Sequence, residues 1–353
     1  MFEIEMLPAR QGDALWLEYG DAAHPRRALI DAGTPETWDV LRARIAALAP
    51  DDRHFELLIV SHIDKDHIGG VIPLLEDTAL GITFGDVWFN GFRHLPSTVE
   101  PMGPVEGERL TTLLVEGGHN WNHAFEQQAV VVGDEGPLPV KQLDGGLQLT
   151  VLSPYLPQLA KLRPIWEPLV REHGLDPAVE PAEPDPLPPE IESLGTPSVE
   201  ELAAKRFKQD TAEPNGSSIV VLAEFEGHRA LLCADAFPEI VRGSVERLLE
   251  PGQDRLALDA FKLPHHGSRA NINLDLLRRV NAPLHLISSD GTATRHPNPE
   301  AIARTIVTQD HPRLRFNYRT KFTEAWEPRG VGGFAWEAEF PPVGSKGLTV
   351  KLD

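Results

Sequence analysis

The chain has 353 residues, 41% hydrophobic and 24% charged, which excludes wholesale disorder and leaves room for one large domain or two ordinary ones. Its 33 basic and 53 acidic residues give a formal charge of −20. That balance speaks against strong binding to duplex DNA through a basic surface, though not against a polyanion whose charge is met locally by divalent ions. A single cysteine, Cys233, excludes an intrachain disulfide and a thiolate-built zinc site. No run approaches 18 uninterrupted apolar residues, so the expectation is a cytoplasmic protein with no membrane span or signal peptide.

In chain order, strand patterns fall at 3–7, 14–19, 27–31, 56–60 and 86–90, with helical spacing of apolar residues at 37–48 and 68–80. A further strand is expected at 147–152. A second strand-rich block follows at 217–225, 229–234, 258–263, 284–288, 313–318, 333–339 and 348–352. Its helices are expected at 238–249, 273–279 and 299–308, and Glu226-Gly227-His228 reads as a hairpin turn. Two strand-rich blocks with helices outside predict an α/β, four-layer αββα sandwich over residues 1–353 as one domain.

Between the blocks, residues 156–214 read as a proline-rich acidic insertion. Pro184, Pro186, Pro188 and Pro189 remove backbone donors, and 172–204 carries nine acidic residues with no Lys or Arg, so no central strand belongs here. The expectation is a solvated loop, or a lid that screens long duplex DNA from the site.

The densest chemistry is Ser61-His62-Ile63-Asp64-Lys65-Asp66-His67-Ile68-Gly69-Gly70, directly after the apolar run Leu57-Leu58-Ile59-Val60. Imidazoles and carboxylates at i, i+2, i+4 and i+5 past a strand end can wrap one metal ion or feed two, and burying that many polar groups without a partner is costly. Asp235 stands alone at the end of the apolar strand Leu231-Leu232-Cys233-Ala234. His119 and His123 read as part of a glycine-bounded surface loop, Cys233 as core packing, and Val87-Trp88-Phe89-Asn90 as a buried strand end.

The run at 62–67 resembles the His-x-His-x-Asp-His motif of the metallo-β-lactamase superfamily, with Asp64 in place of the second histidine. This variant with Gly-Gly behind it is most similar to the hydrolase domain of the DNA-uptake protein ComEC and its soluble relatives. Further pieces follow in the family's order: Gln11-Gly12-Asp13-Ala14, Ile30-Asp31-Ala32-Gly33, Asn215-Gly216-Ser217-Ser218, Ala234-Asp235, His265-His266-Gly267-Ser268 and Arg295-His296-Pro297. The resemblance implies two divalent ions, zinc or manganese, bridged by Asp235. His62, Asp64 and Asp235 would hold one ion; Asp66, His67, Asp235 and His296 would hold the other. Asn215 occupies the place of a usual histidine, so it implies a weak ligand and a weak first site. Asp31, and less strongly Asp13, would hold a ligand from behind.

Two schemes compete for His265-His266. One makes either residue a metal ligand and leaves His296 outside. The other, which the order of motifs favours, makes His265 and His266 catalytic or phosphate-contacting, with Asp66 handling a proton, and His296 a ligand. Ser268 and Asn271 are candidate substrate contacts. The implied activity is a metal-dependent phosphodiesterase or nuclease acting on a phosphodiester or nucleotide. The alternatives are an ester, lactone or β-lactam hydrolase and a non-catalytic regulatory protein on the same scaffold.

Overall fold

The structure is a computed structural model that describes residues 1–96, 109–172, 197–328 and 333–352. Among the described residues, sixteen strands run in chain order: β1 (Phe2–Met6), β2 (Leu15–Tyr19), β3 (Arg26–Ile30), β4 (His54–Ile59), β5 (Thr83–Trp88), β6 (Val140–Gln142), β7 (Gln148–Ser153), β8 (Val220–Phe225), β9 (His228–Leu232), β10 (Leu256–Ala257), β11 (Ala260–Lys262), β12 (Val280–Asn281), β13 (Leu284–Ile287), β14 (Arg313–Phe316), β15 (Glu337–Glu339) and β16 (Leu348–Lys351). Six form a sheet in the order β16-β1-β2-β3-β4-β5, and eight form a second sheet in the order β15-β14-β13-β11-β9-β8-β7-β6.

Strand alternation builds the layers. Ile4, Met6, Leu15, Leu17, Ala28, Ile30, Leu57 and Ile59 point from the first sheet into a core shared with Val221, Leu232 and Leu286, which share one face of the second. The opposite parity, Trp16, Leu29, Leu58 and Val87, packs outward on Leu41, Ile45, Val71, Leu74, Leu110 and Leu114 from helices Trp38–Ala46, Val71–Glu76 and Arg109–Glu116. On the far side, helices Pro238–Leu248 and Pro299–Thr308 cover the second sheet through Val241, Val245, Ile302 and Ile306. The αββα sandwich expected from the sequence is the fold. No helix among the described residues is long and apolar enough to cross a membrane.

The differences from expectation have local causes. The helix expected at 68–80 is broken into Lys65–Ile68, Val71–Glu76 and a 3-10 turn at Thr78–Leu80. Gly69 and Gly70 lie at the first break, and a Cβ on Gly70 would stand 2.1 Å from the Ala32 carbonyl oxygen, so the chain passes there only without a side chain. His228 belongs to β9, and the turn is Glu226-Gly227, both at positive φ, as a two-residue hairpin requires. Strand β6 pairs with β7 and was not foreseen. At the start of the proline-rich insertion, helices Leu156–Leu162 and Trp166–Glu172 bury one face. Leu159, Leu162, Trp166 and Val170 are buried in the outer core beside Phe89. Of the acidic stretch 172–204, on which the screening expectation rests, residues 173–196 lie outside the described residues, and the helix Val199–Ala204 buries Leu202 and Ala203.

Candidate metal centre

In both sheets the strands that carry the chemistry run parallel: β3 with β4, and β9, β11 and β13 with one another. Their carboxyl ends face one cleft, where parallel sheets place their sites. Asp31 follows β3, the 61–67 run follows β4, Asp235 follows β9, His265-His266 follow β11, and Ser288 follows β13.

Asp235 is at the middle of the constellation, 2% exposed. Its Oδ1 lies 3.3 Å from His67 Nε2 and 3.4 Å from His266 Nε2. Its Oδ2 lies 3.5 Å from His265 Nε2 and 3.9 Å from His62 Nε2. Four imidazoles therefore present the same ring nitrogen to the two oxygens of one carboxylate.

The groups behind the rings fix which nitrogen carries the proton. His67 Nδ1 is 2.7 Å from Asp31 Oδ2, so it donates to that carboxylate. His266 Nδ1 faces the Ser288 carbonyl at 3.1 Å, an atom that can only accept. His265 Nδ1 donates to Asn271 Oδ1 at 2.9 Å. Ser61 Oγ donates to Asp31 Oδ2 at 2.6 Å and so accepts from His62 Nδ1 at 3.0 Å. With every Nδ1 proton committed, each Nε2 lone pair is directed inward. Asp31 also accepts from the Ser61 backbone N–H at 2.7 Å, so it holds two of the four rings.

This donor set fits a cation. His67 Nε2 and His266 Nε2 are 3.2 Å apart, and two lone pairs cannot hydrogen-bond to each other. His62 Nε2 and Asp235 Oδ1 are buried without a hydrogen-bond partner. Ligands held at roughly 2.0–2.1 Å by one tetrahedral ion stand about 3.3–3.4 Å from one another, which is the size of the His67, His266, Asp235 Oδ1 triangle. Asp66 Oδ2 lies 3.6 Å from His266 Nε2 on the same side. The other side is wider: Asp64 Oδ2 is 3.6 Å from His62 Nε2, and His62 is 3.9 Å from Asp235.

The structure separates residues that the sequence grouped. His296 is buried behind His265, their rings edge to face at 5.3 Å between centroids, and its Nδ1 has no partner. His265 and His266, not His296, face the Asp235 carboxylate. The cause is the loop conformation after β11, where His265 (φ 47°) and His266 (φ 54°) both adopt left-handed backbone and swing their rings to opposite oxygens of Asp235. Asn215 Nδ2 lies 3.3 Å from His265 Nδ1 and donates to Asp210 Oδ2 at 2.6 Å, and its Oδ1 is buried without a hydrogen-bond partner. His265 Nε2 faces Asp235 Oδ2 on the same side as His62. Asn271 is a brace and not an exposed contact, donating to Asp210 Oδ2 and to the Asp235 carbonyl, both at 3.0 Å. Asp31 and Ala234 share the left-handed φ of the two histidines, at 58° and 44°. Non-glycine residues in that region cost about 1–2 kcal/mol each, and such strain concentrates where geometry serves a site.

Two residues escaped the sequence reading. Lys262, fully buried, donates to Asp13 Oδ2 at 2.6 Å, and Asp13 Oδ1 stands 3.3 Å from His266 Nδ1. A lone lysine in the apolar strand Ala260-Phe261-Lys262-Leu263 was the available signal. Asp13, His67, Asp235 and His266 bring ligand atoms within 4.8 Å of one another, but Asp13 meets His266 on its protonated side and backs the ring. Gly12 permits this, since a Cβ there would lie 1.7 Å from the Asp66 carbonyl oxygen. Asp210, the second, gave no local signal. Replacing Lys262 with Met should leave the buried Asp13 charge without its lysine and with only His266 beside it, destabilising the fold by about 3–5 kcal/mol. Thermal melts check this, and adding Asp13→Asn should restore part of the loss.

The electrostatics of the metal-free cluster follow from the same contacts. Burial works against ionised Asp235, but the surrounding His265, His266 and His67 outweigh it and hold the carboxyl well below its usual range. Burial likewise opposes charged His67 and His266, yet Asp235 with Asp31 or Asp13 prevails; His67 is raised and His266 pushed up to about 9. Raised histidines stabilise the fold fully below their ordinary value near 6.5, and that stability disappears as pH climbs through about 9. Metal-free protein should therefore melt at progressively lower temperature from pH 6.5 to 9. A divalent ion must displace these protons, so its affinity should rise across the same window. Melts of chelated and metal-supplemented protein should diverge as pH increases.

No protein-family model matches the chain. Among solved structures, it is similar to the metallo-β-lactamase fold protein YhfI from Bacillus subtilis, at 11% identity over 99% of this chain and 98% of that one, with a TM-score of 0.39. It is also similar to Zn(2+)-bound PqqB from Methylobacterium extorquens, at 13% identity over 100% of both chains, TM-score 0.43. A third is CmlA, a diiron β-hydroxylase from Streptomyces venezuelae, at 12% identity over 99% of this chain and 54% of that one, TM-score 0.38. All three scores are below 0.5, and the sandwich stands on its own strand order and register.

Proposed function

We propose that this chain is a metal-dependent hydrolase that cleaves phosphodiester bonds, as a phosphodiesterase or nuclease, with two divalent ions sharing Asp235. The observation that carries the reading is the convergence of four imidazole Nε2 atoms, each with its Nδ1 proton committed elsewhere, on the two oxygens of one buried carboxylate. His67, His266, Asp66 and Asp235 Oδ1 would hold one ion; His62, Asp64, His265 and Asp235 Oδ2 would hold the other. Nitrogen with carboxylate ligands suits zinc or manganese. Two such ions supply Lewis acidity at the attacked group and a nucleophilic water at neutral pH.

The protein's own residues do the rest. Asp31, Asn271, the Ser288 carbonyl and Ser61 orient the rings, so little reorganisation accompanies substrate binding. Asp66, about a fifth exposed and 3.6 Å from His266 Nε2, would accept a hydrogen bond from a water beside the ion it helps to hold. His296 is kept neutral by burial, so it can offer one N–H to a phosphate oxygen without carrying charge. The run His62–His67 with Asp64 resembles variants that act on phosphodiesters and supports that substrate class over a lactam or lactone. The buried free thiol Cys233 suits a cytoplasmic location.

The test combines metal analysis of the purified protein with turnover of bis-p-nitrophenyl phosphate, single-stranded DNA, RNA and a β-lactam. Bound zinc or manganese with turnover of the phosphodiesters is expected. Turnover of the lactam alone would overturn the phosphodiester reading, and absence of both metal and turnover would make the chain a scaffold without catalysis.

A further inference from the structure

Beside the metal centre lies a groove of about 520 Å³ lined by Lys205, Arg206, Lys208, Asp210, Arg269 and Glu300, among others. Four cations against two carboxylates make it locally positive on a chain of charge −20. Glu300 is engaged by Lys205 at 3.0 Å and Arg269 at 3.7 Å. Arg206 and Lys208 are exposed and form no ion pair with described residues.

The groove is rigidly built. Arg304, 2% exposed, rises from the helix Pro299–Thr308 and donates to the carbonyls of Arg269 and Ile272 at 2.8 Å and of Lys205 at 3.0 Å. Its guanidinium lies 5.5 Å from the Phe207 ring. One buried side chain thus ties the 205–208 strap to the loop that carries His265 and His266. The Asp210 N–H donates to the Ala270 carbonyl at 3.1 Å, closing the strap's other end. The Asp210 carboxylate, 3.4 Å from His265 Nδ1, forms the wall between the groove and the metal centre.

We propose that this groove binds the phosphates flanking the one to be cleaved, so that the substrate is a single-stranded phosphodiester chain. The inference rests on the phosphodiesterase reading of the metal centre and deepens it. Arg206, Lys208 and Arg269 track the backbone next to the scissile bond, and Arg304 and Glu300 hold their anchoring backbone and side chains in place. Three cations suit a short stretch of single strand; a duplex would bring far more phosphate charge against an acidic protein.

The test measures binding apart from turnover. A fluorescein-labelled ten-residue thymidine oligonucleotide is titrated into chelator-treated protein, wild type and an Arg206→Glu, Lys208→Glu, Arg269→Glu variant, by fluorescence anisotropy. Contact with three phosphates of a single strand predicts a slope of about −2 in log K against log salt. The variant should bind at least tenfold more weakly with the slope near zero. A second measurement is the ratio of kcat/KM for the oligonucleotide to that for bis-p-nitrophenyl phosphate, expected to fall at least tenfold in the variant. Equal affinity and slope in both proteins would overturn the groove. If wild type binds through the groove but hydrolyses neither compound, the reading of the metal centre fails and the groove stands. The three side chains are exposed, and the single Lys208→Glu variant, expected to shift the slope by about 0.7, serves should the triple variant not fold.

Discussion

Asp235→Ala is expected to remove bound metal and turnover together. Asp235 divides its oxygens between two pairs of imidazoles, with Oδ1 at 3.3 Å and 3.4 Å from His67 and His266 and Oδ2 at 3.5 Å and 3.9 Å from His265 and His62. Removing it takes one carboxylate ligand from both positions and leaves the four inward lone pairs with only Asp64 and Asp66 beside them, so affinity at both positions falls at once. Loss of an outer partner of a metal ligand costs about 10–100-fold in affinity or activity, and loss of a shared ligand should exceed the upper end of that range. Elemental analysis and bis-p-nitrophenyl phosphate turnover check the outcome. Asp235→Asn is the conservative companion: it keeps the shape but carries no charge to bridge two cations. Wild-type metal content in either variant would show that the two positions do not share this residue.

Much of this arrangement was legible because it is local in sequence. Four ligand-type residues within six positions after an apolar strand can hardly be buried for packing, and Asp31 and Asp235 each sit where a strand ends. The alternation that defines β1 to β4 also separates the two faces of the first sheet, so the layers followed from the pattern of apolar residues. What the sequence could not carry was made by backbone turns and by contacts across the chain. His265 and His266 differ from His296 through two left-handed φ values, which no side-chain pattern announces. The Lys262–Asp13 pair joins positions 249 residues apart, and Asp210 reaches His265 across 55 positions. Helices Leu156–Leu162 and Trp166–Glu172 were hidden by the prolines around them, although Leu159, Leu162 and Trp166 sit in the outer core.

The divergence between motif order and geometry gives the second large effect. The order Asp235, His265-His266, His296 suggested that His296→Ala would lower metal content while His266→Ala would leave metal in place. The geometry supports the reverse. His266 Nε2 closes the compact triangle with His67 and Asp235 Oδ1, its Nδ1 donating to the Ser288 carbonyl and backed by Asp13. His296 meets the ring of His265 and leaves its own Nδ1 unpartnered. His266→Ala should thus cost one equivalent of metal and turnover more than about a hundredfold, the effect expected when a ligand and not its support is lost. His296→Ala should retain the metal and slow turnover, by about 10–100-fold for loss of one proton-handling or hydrogen-bonding group. Paired metal analysis and kinetics on the two variants decide between the schemes. Loss of metal in His296→Ala with retention in His266→Ala would return the last ligand to His296, and would mean that the loop after β11 turns when the ion binds.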